Sequence, residues 1–127
     1  MPISRDEVLM SRDKQYPLSD ALEVNLAKLL VALNKFREAY GHPMTVTSGY
    51  RPAAINAATP GAASHSNHVV CLACDFHDPD GALDQWCLDR PDVLEMAGLW
   101  QESPASTPGW CHLQAVPPRS GLRVFKP

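Results

Sequence analysis

Ser66-Asn67-His68-Val69-Val70-Cys71-Leu72-Ala73-Cys74-Asp75 sets an imidazole seven residues ahead of a carboxylate that lies in an otherwise apolar run. A carboxylate left bare in such a strand is costly. A divalent cation removes that cost, and zinc accepts imidazole nitrogen and carboxylate oxygen at about 2.0–2.2 Å. Seven residues drawn out straight span about 23 Å, too far for two ligands of one ion. The chain must therefore fold back between His68 and the strand that carries Asp75.

A third ligand is available in Trp110-Cys111-His112-Leu113-Gln114, where His112 sits inside an apolar strand able to pair alongside the Asp75 strand. Two histidines and one carboxylate leave a fourth position open, the pattern of catalytic rather than structural zinc.

Together these residues resemble the zinc D-alanyl-D-alanine carboxypeptidases and L-alanyl-D-glutamate endopeptidases, including phage endolysins, with their hedgehog-like zinc peptidase fold. That family writes Ser-x-His-x-x-Gly-x-Ala-x-Asp, a Ser-Gly-Tyr-Arg segment upstream and an aromatic-x-His near the end. The counterparts here are Ser66, His68, Ala73 and Asp75; Ser48-Gly49-Tyr50-Arg51 with Asn56 downstream; and Trp110 with His112. The likeness covers about residues 20 to 115. It implies that His68, Asp75 and His112 bind Zn2+, and that Arg51 grips a carboxylate or carbonyl of a peptidoglycan stem peptide, with Ser66 and Tyr50 beside it. A guanidinium fork suits a carboxylate better than a point charge does.

The chain departs from the family pattern at three places. Several members carry an Asp or Glu, the general base, three residues before the last histidine ligand; Gly109 stands there. Glu102, the nearest acid in the preceding loop, is the candidate base, set against the plainer reading of a solvated surface glutamate. The family's glycine after the first histidine is Cys71, and the acid often found two residues beyond the last is Gln114. Both changes bear on loop shape and on support of the ligands, and neither removes a ligand.

Around the motif the periodicity predicts an α+β domain of 127 residues. Residues 1–17 are polar and end in Tyr16-Pro17, which reads as a lead-in arm. Ser19 or Asp20 can cap a long helix with Leu22, Leu26, Leu29, Leu33 and Phe36 on one stripe, and Gly41 stops it. Strands are predicted over Met44–Ser48, Val69–Phe76 and Trp110–Val116. Short helices are predicted within 53–63, from Ala82 to about Leu88, and over Val93–Ala97. A loop spans Ser103–Gly109, and residues 117–127 form an extended, proline-rich arm. The expected architecture is a small antiparallel sheet carrying the zinc site, packed against two or three helices on one side.

Composition narrows the function. With 11 basic and 14 acidic residues the formal charge is −3, which gives no field for nucleic acid. The longest apolar stretch, Leu29–Leu33, is far short of the roughly 20 residues that span a bilayer. The opening Met-Pro-Ile-Ser-Arg-Asp-Glu lacks an apolar export core, so the resemblance is best served by a phage enzyme. A holin would deliver it from host cytoplasm to the wall, or the virion would carry it, and it is expected to act as a monomer. Cys71-Leu72-Ala73-Cys74 has the spacing of a zinc knuckle but no second such pair, so its thiols read as buried small hydrophobes. His42, His65 and His77 have no motif counterpart. The leading reading is a peptidoglycan-cutting zinc peptidase; the competing one, favoured by Gly109, is a non-catalytic wall-binding or phage structural protein of the same fold.

Overall fold

Ser19 accepts the Leu22 N–H on its hydroxyl at 3.3 Å and so opens the long helix α2 (Asp20–Tyr40), which Gly41 closes at φ +76°. The stripe of Leu26, Leu29, Leu33 and Phe36 is fully buried, with the Phe36 ring edge-on to Trp86 at 5.4 Å. The computed structural model describes residues 2–63 and 65–127.

Among the described residues the sheet has five strands: β1 (Val46–Ser48), β2 (Ala73–Asp78), β3 (Trp100–Glu102), β4 (Gly109–Gln114) and β5 (Val124–Phe125), in the order β1-β2-β4-β3-β5. The first four pair antiparallel, as expected; β5 then lies parallel to β3, which makes the sheet mixed. Side chains alternate across β2 and β4. Cys74, Phe76, Cys111 and Leu113 turn into the core shared with α2, while Ala73, Asp75 and His77 share the other face with Trp110, His112 and Gln114.

Two further helices, α4 (Ala82–Asp89) and α5 (Pro91–Ala97), complete the helical layer; Leu83, Cys87 and Leu94 are buried in it. The buried Asp78 at the end of β2 accepts the N–H groups of Leu83 and Asp84, both at 2.9 Å, which starts α4 where the Asp78–Gly81 turn signal ended the strand. The α+β class agrees with the sequence reading, whereas the described residues hold five α-helices where two or three were expected, of which α2, α4 and α5 form the layer.

Four local expectations are corrected. The strand predicted from Val69 begins at Ala73, because residues 66–72 turn back on themselves: Val69 N–H bonds to Ser66 O, and Leu72 N–H to Asn67 O at 2.9 Å. The predicted lead-in arm holds a helix, α1 (Arg5–Leu9), set by a capping box between Ser4 and Glu7, with Val8 and Leu9 buried. Glu102 lies not in a loop but on β3, and the C-terminal arm adds the short β5. The short helix predicted within 53–63 is α3 (Ala53–Ala58), beside the cleft described next. Among the described residues no helix is long and apolar enough to cross a membrane.

Candidate metal centre

Pairing of β2 with β4 sets Asp75 directly opposite His112 on the sheet face away from the core. The turn over residues 66–72 then returns His68 to the same place, as the seven-residue spacing required. Cys71 closes that turn at φ +60°. This is the position where the family pattern has glycine, and the cysteine adopts the left-handed conformation that glycine would take freely.

The three groups converge. His68 Nε2 lies 3.3 Å from one Asp75 carboxylate oxygen, and His112 Nδ1 lies 2.8 Å from the other. All three offer ligand atoms within 4.8 Å of one another, and all three are buried. The imidazole rings meet edge-on, with centroids 5.3 Å apart.

Their outer hydrogen bonds decide what faces inward. His68 Nδ1 is 2.9 Å from the Gly49 carbonyl, which only accepts, so this nitrogen carries the proton and Nε2 presents a lone pair. On the other ring, His112 Nε2 is 2.8 Å from Gln114 Oε1. The Gln114 amide is itself oriented, because its Nε2 donates to the Val116 carbonyl at 2.9 Å. His112 therefore carries its proton on Nε2 and turns the Nδ1 lone pair toward Asp75. Two lone pairs and a carboxylate aimed at one another hold no hydrogen between them; a cation or a shared proton must. This is the donor set and outer support of a metal site.

The electrostatics agree. Burial pushes the Asp75 carboxyl upward, yet the adjoining His112 and His68, with a proton shared between ring and carboxylate when no cation is bound, outweigh it and hold the group well below the usual carboxylate range. Burial lowers the His112 pKa, but Asp75 and Gln114 reverse that and leave it raised.

A cleft of about 430 Å³ opens over the three groups. Arg51, Ser66, Glu102 and Trp110 line it, together with the Thr59–Ala63 loop. Arg51 is half-buried, with its guanidinium on Asn56 Oδ1 and Ser48 Oγ, both at 3.2 Å. Asn56 also donates to the Ala63 carbonyl at 2.8 Å, which ties the arginine to the loop across the cleft. Ser66 Oγ accepts the His68 backbone N–H at 3.2 Å. Strand alternation puts Glu102 on the same face as Trp100, which pairs with Gln114, so Glu102 points to the metal side. Burial raises its carboxyl pKa, against the pull of the nearby His112.

Tyr50 does not join them. It is 4% exposed, its hydroxyl donates to the Tyr16 carbonyl at 3.2 Å, and it is absent from the cleft wall; its place is in the core, so direct substrate contact is corrected to structural support. His65 and His77 are exposed, and the four cysteines are buried free thiols, with Cys111 facing the core as alternation required. The sequence reading missed the tautomer-setting roles of Gly49 and Gln114. Gln114 carried a signal, since two residues along a strand it shares a face with His112.

Comparison with known proteins supports the assignment. No curated protein and no solved structure matches the chain. The profile of the family described as Peptidase M15 matches residues 4–97, well over half of the chain. That span holds Arg51, His68 and Asp75, and the strand pairing brings in His112 from beyond it. With a metal-competent His-Asp-His cluster under a cleft and this match, the chain belongs to the Peptidase M15 family of metal-dependent peptidases.

Proposed function

We propose that the protein is a zinc peptidase that hydrolyses a peptide bond in peptidoglycan stem peptides, of the D-Ala-D-Ala or L-Ala-D-Glu type. The observation that carries this reading is the pair of outer hydrogen bonds that turns both imidazole lone pairs onto Asp75 beneath an open cleft. His68 Nε2, Asp75 and His112 Nδ1 would hold the ion. When bound, zinc polarises a scissile carbonyl and lowers the pKa of water.

The chain's own residues supply the rest. Arg51 binds a substrate carboxylate or carbonyl, because its guanidinium is fixed by two neutral oxygens and its charge has no acidic partner among the described residues. Glu102 accepts the proton of the attacking water and returns it to the leaving amine. Its raised pKa brings it closer to the working pH, which favours both transfers. Ser66 lies where it can contact the substrate backbone, and Trp110 with the Thr59–Ala63 loop walls the cleft. Phage endolysins are among the enzymes the sequence resembles, and a phage lysis or virion-associated setting is the one we propose.

The test is incubation of purified protein with synthetic stem peptides containing each bond, read by mass spectrometry. One bond is cut, cutting stops with chelator and returns with Zn2+, and Glu102→Gln lowers kcat by about 10²–10⁴-fold while the metal stays bound. Gly109, in place of the family's acid, favours the second reading of a non-catalytic wall-binding or structural protein. Failure of zinc-loaded protein to cut any stem peptide would establish that second reading over the first.

A further inference from the structure

Two consecutive peptide units, Gly49–Tyr50 and Tyr50–Arg51, stand between the N-terminal segment and His68. In a trans peptide the C=O and N–H point in opposite directions, and here each unit bonds to a different part of the chain on each side. In the first, Tyr50 N–H donates to the Val8 carbonyl at 2.8 Å, while the Gly49 carbonyl accepts His68 Nδ1–H at 2.9 Å. In the second, the Tyr50 carbonyl accepts from the Arg12 guanidinium at 2.8 Å, while Arg51 N–H donates to the His68 carbonyl at 3.0 Å. Hydrogen bonds linked in series polarise and strengthen one another.

The approach is close enough to dictate residue types. A Cβ on Gly49 would lie 2.1 Å from the Val8 carbonyl oxygen, a contact no side chain survives. Between Val8 and Arg12 the chain passes through Met10 and Ser11 at φ +55° and +61°, a left-handed pair of non-glycine residues. Such strain persists only where the surroundings impose it. The Tyr50 hydroxyl on the Tyr16 carbonyl closes the far end of the same brace. Arg12 is not part of the cleft wall, and among the described residues it has no acidic partner; its charge is directed at one carbonyl.

We infer that the segment from Val8 to Tyr16 is an outer brace of the metal centre, with Arg12 as a positioning residue that holds His68 and Arg51 in register through these two peptide units. The inference rests on the metal-centre reading above. It assigns a role in the site to residues that contact neither the ion's ligands nor the cleft.

The test uses the full chain carrying Arg12→Gln or Arg12→Lys. Zinc affinity is read by chelator competition, and the His68 ring tautomer by nitrogen-15 NMR of the metal-free protein. Arg12→Gln is expected to weaken zinc binding about tenfold, at the lower end of the losses caused by changes outside the ligand shell. It should also mix the His68 tautomers, and Arg12→Lys, which keeps one cationic donor, should recover most of both. Arg12→Gln with wild-type affinity and an unmixed His68 tautomer overturns the inference, whatever its melting temperature. Should Arg12→Gln not fold, Arg12→Lys decides: affinity and tautomer shifted part-way support the brace, and both unchanged overturn it. Wild-type protein that binds no divalent cation overturns the metal reading itself, which is a different failure.

Discussion

Replacing Gln114 by Leu removes the acceptor 2.8 Å from His112 Nε2 and the donor to the Val116 carbonyl together. Gln114 is 3% exposed, so water does not take its place. The buried Nε2–H is then unmet, and the ring gains by moving its proton to Nδ1, which turns the lone pair away from Asp75. Loss of such an outer partner typically lowers metal affinity about 10- to 100-fold, or about 1.4–2.7 kcal/mol. The metal-free fold should lose no more than about 1–3 kcal/mol, because the moved ring proton finds Asp75 and only the Val116 carbonyl is left without its amide donor. Gln114→Glu is a sharper contrast, because one carboxylate oxygen would take the His112 proton in a charge-assisted bond. The other oxygen would face the Val116 carbonyl, acceptor against acceptor, where the amide now donates at 2.9 Å. The two effects oppose, so Gln114→Glu should stay within about tenfold of wild type. Competition with a chromophoric chelator gives the affinities, and urea denaturation of the metal-free variants gives the stabilities. A Gln114→Leu protein that binds Zn2+ as tightly as wild type would refute the argument that the outer hydrogen bonds set the site.

Arg51→Lys should raise KM for a stem peptide about tenfold or more, since hydrogen bonds to a charged group contribute about 1.5–3 kcal/mol and the fork cannot be reproduced; an unchanged KM would remove Arg51 from substrate binding. Cys71→Gly should stay within about 1 kcal/mol of wild type, because relief at φ +60° offsets the loss of a fully buried thiol. Cys71→Val should cost more than about 2 kcal/mol, as a β-branched residue is an outlier there; equal denaturation midpoints for the two variants would contradict this. The pH dependence of the metal-free protein follows from two opposed groups. Asp75, held low despite burial, contributes stability that is complete above the ordinary carboxylate value of about 3.9 and is lost as pH falls through its lowered pKa. His112, raised by Asp75 against the effect of burial, contributes stability that is complete below about 6.5 and is lost as pH rises through its raised pKa. Chelated protein should therefore melt at lower temperature as pH climbs above neutrality, while the stabilisation added by Zn2+ grows because the ion no longer competes with that proton. Melting curves from acid to alkaline pH, with and without Zn2+, that run parallel would count against a shared site.

How much of this could be read from the residues depended on whether the signal was local. The α2 stripe and its caps at Ser19 and Gly41 are local, and they were legible to the residue. So was the candidate ligand set, because His68, Asp75 and His112 fall together on the family-like motif even though a single histidine in an apolar stretch is usually a core residue, and the structure brings the three together. The turn over residues 66–72 was demanded by ligand spacing, but its left-handed hinge falls on Cys71, where nothing in the residue type announces it. The short strand at Trp100–Glu102 gains its regularity from β4 on one side and β5 on the other, so three residues alone gave no period to read. Glu102 for that reason reads as a loop residue in the sequence and lies on a strand in the structure. The capping box at Ser4 and Glu7 was visible, yet the polar composition around it concealed that Val8 and Leu9 are core residues. The Tyr50 hydroxyl meets Tyr16 and the Gly49 carbonyl meets His68, contacts 34 and 19 residues apart, and such long-range contacts leave no pattern in the sequence.

The central claim is that His68, Asp75 and His112 form one divalent-metal site with both imidazole lone pairs turned inward. Its most direct test is elemental analysis of the purified chain after equilibration with Zn2+, beside His68→Ala, Asp75→Ala and His112→Ala. One zinc ion per wild-type chain is expected, removed by chelator and restored on addition, and none retained by any of the three variants. Wild-type protein without stoichiometric metal, or a variant that keeps it, would contradict the account.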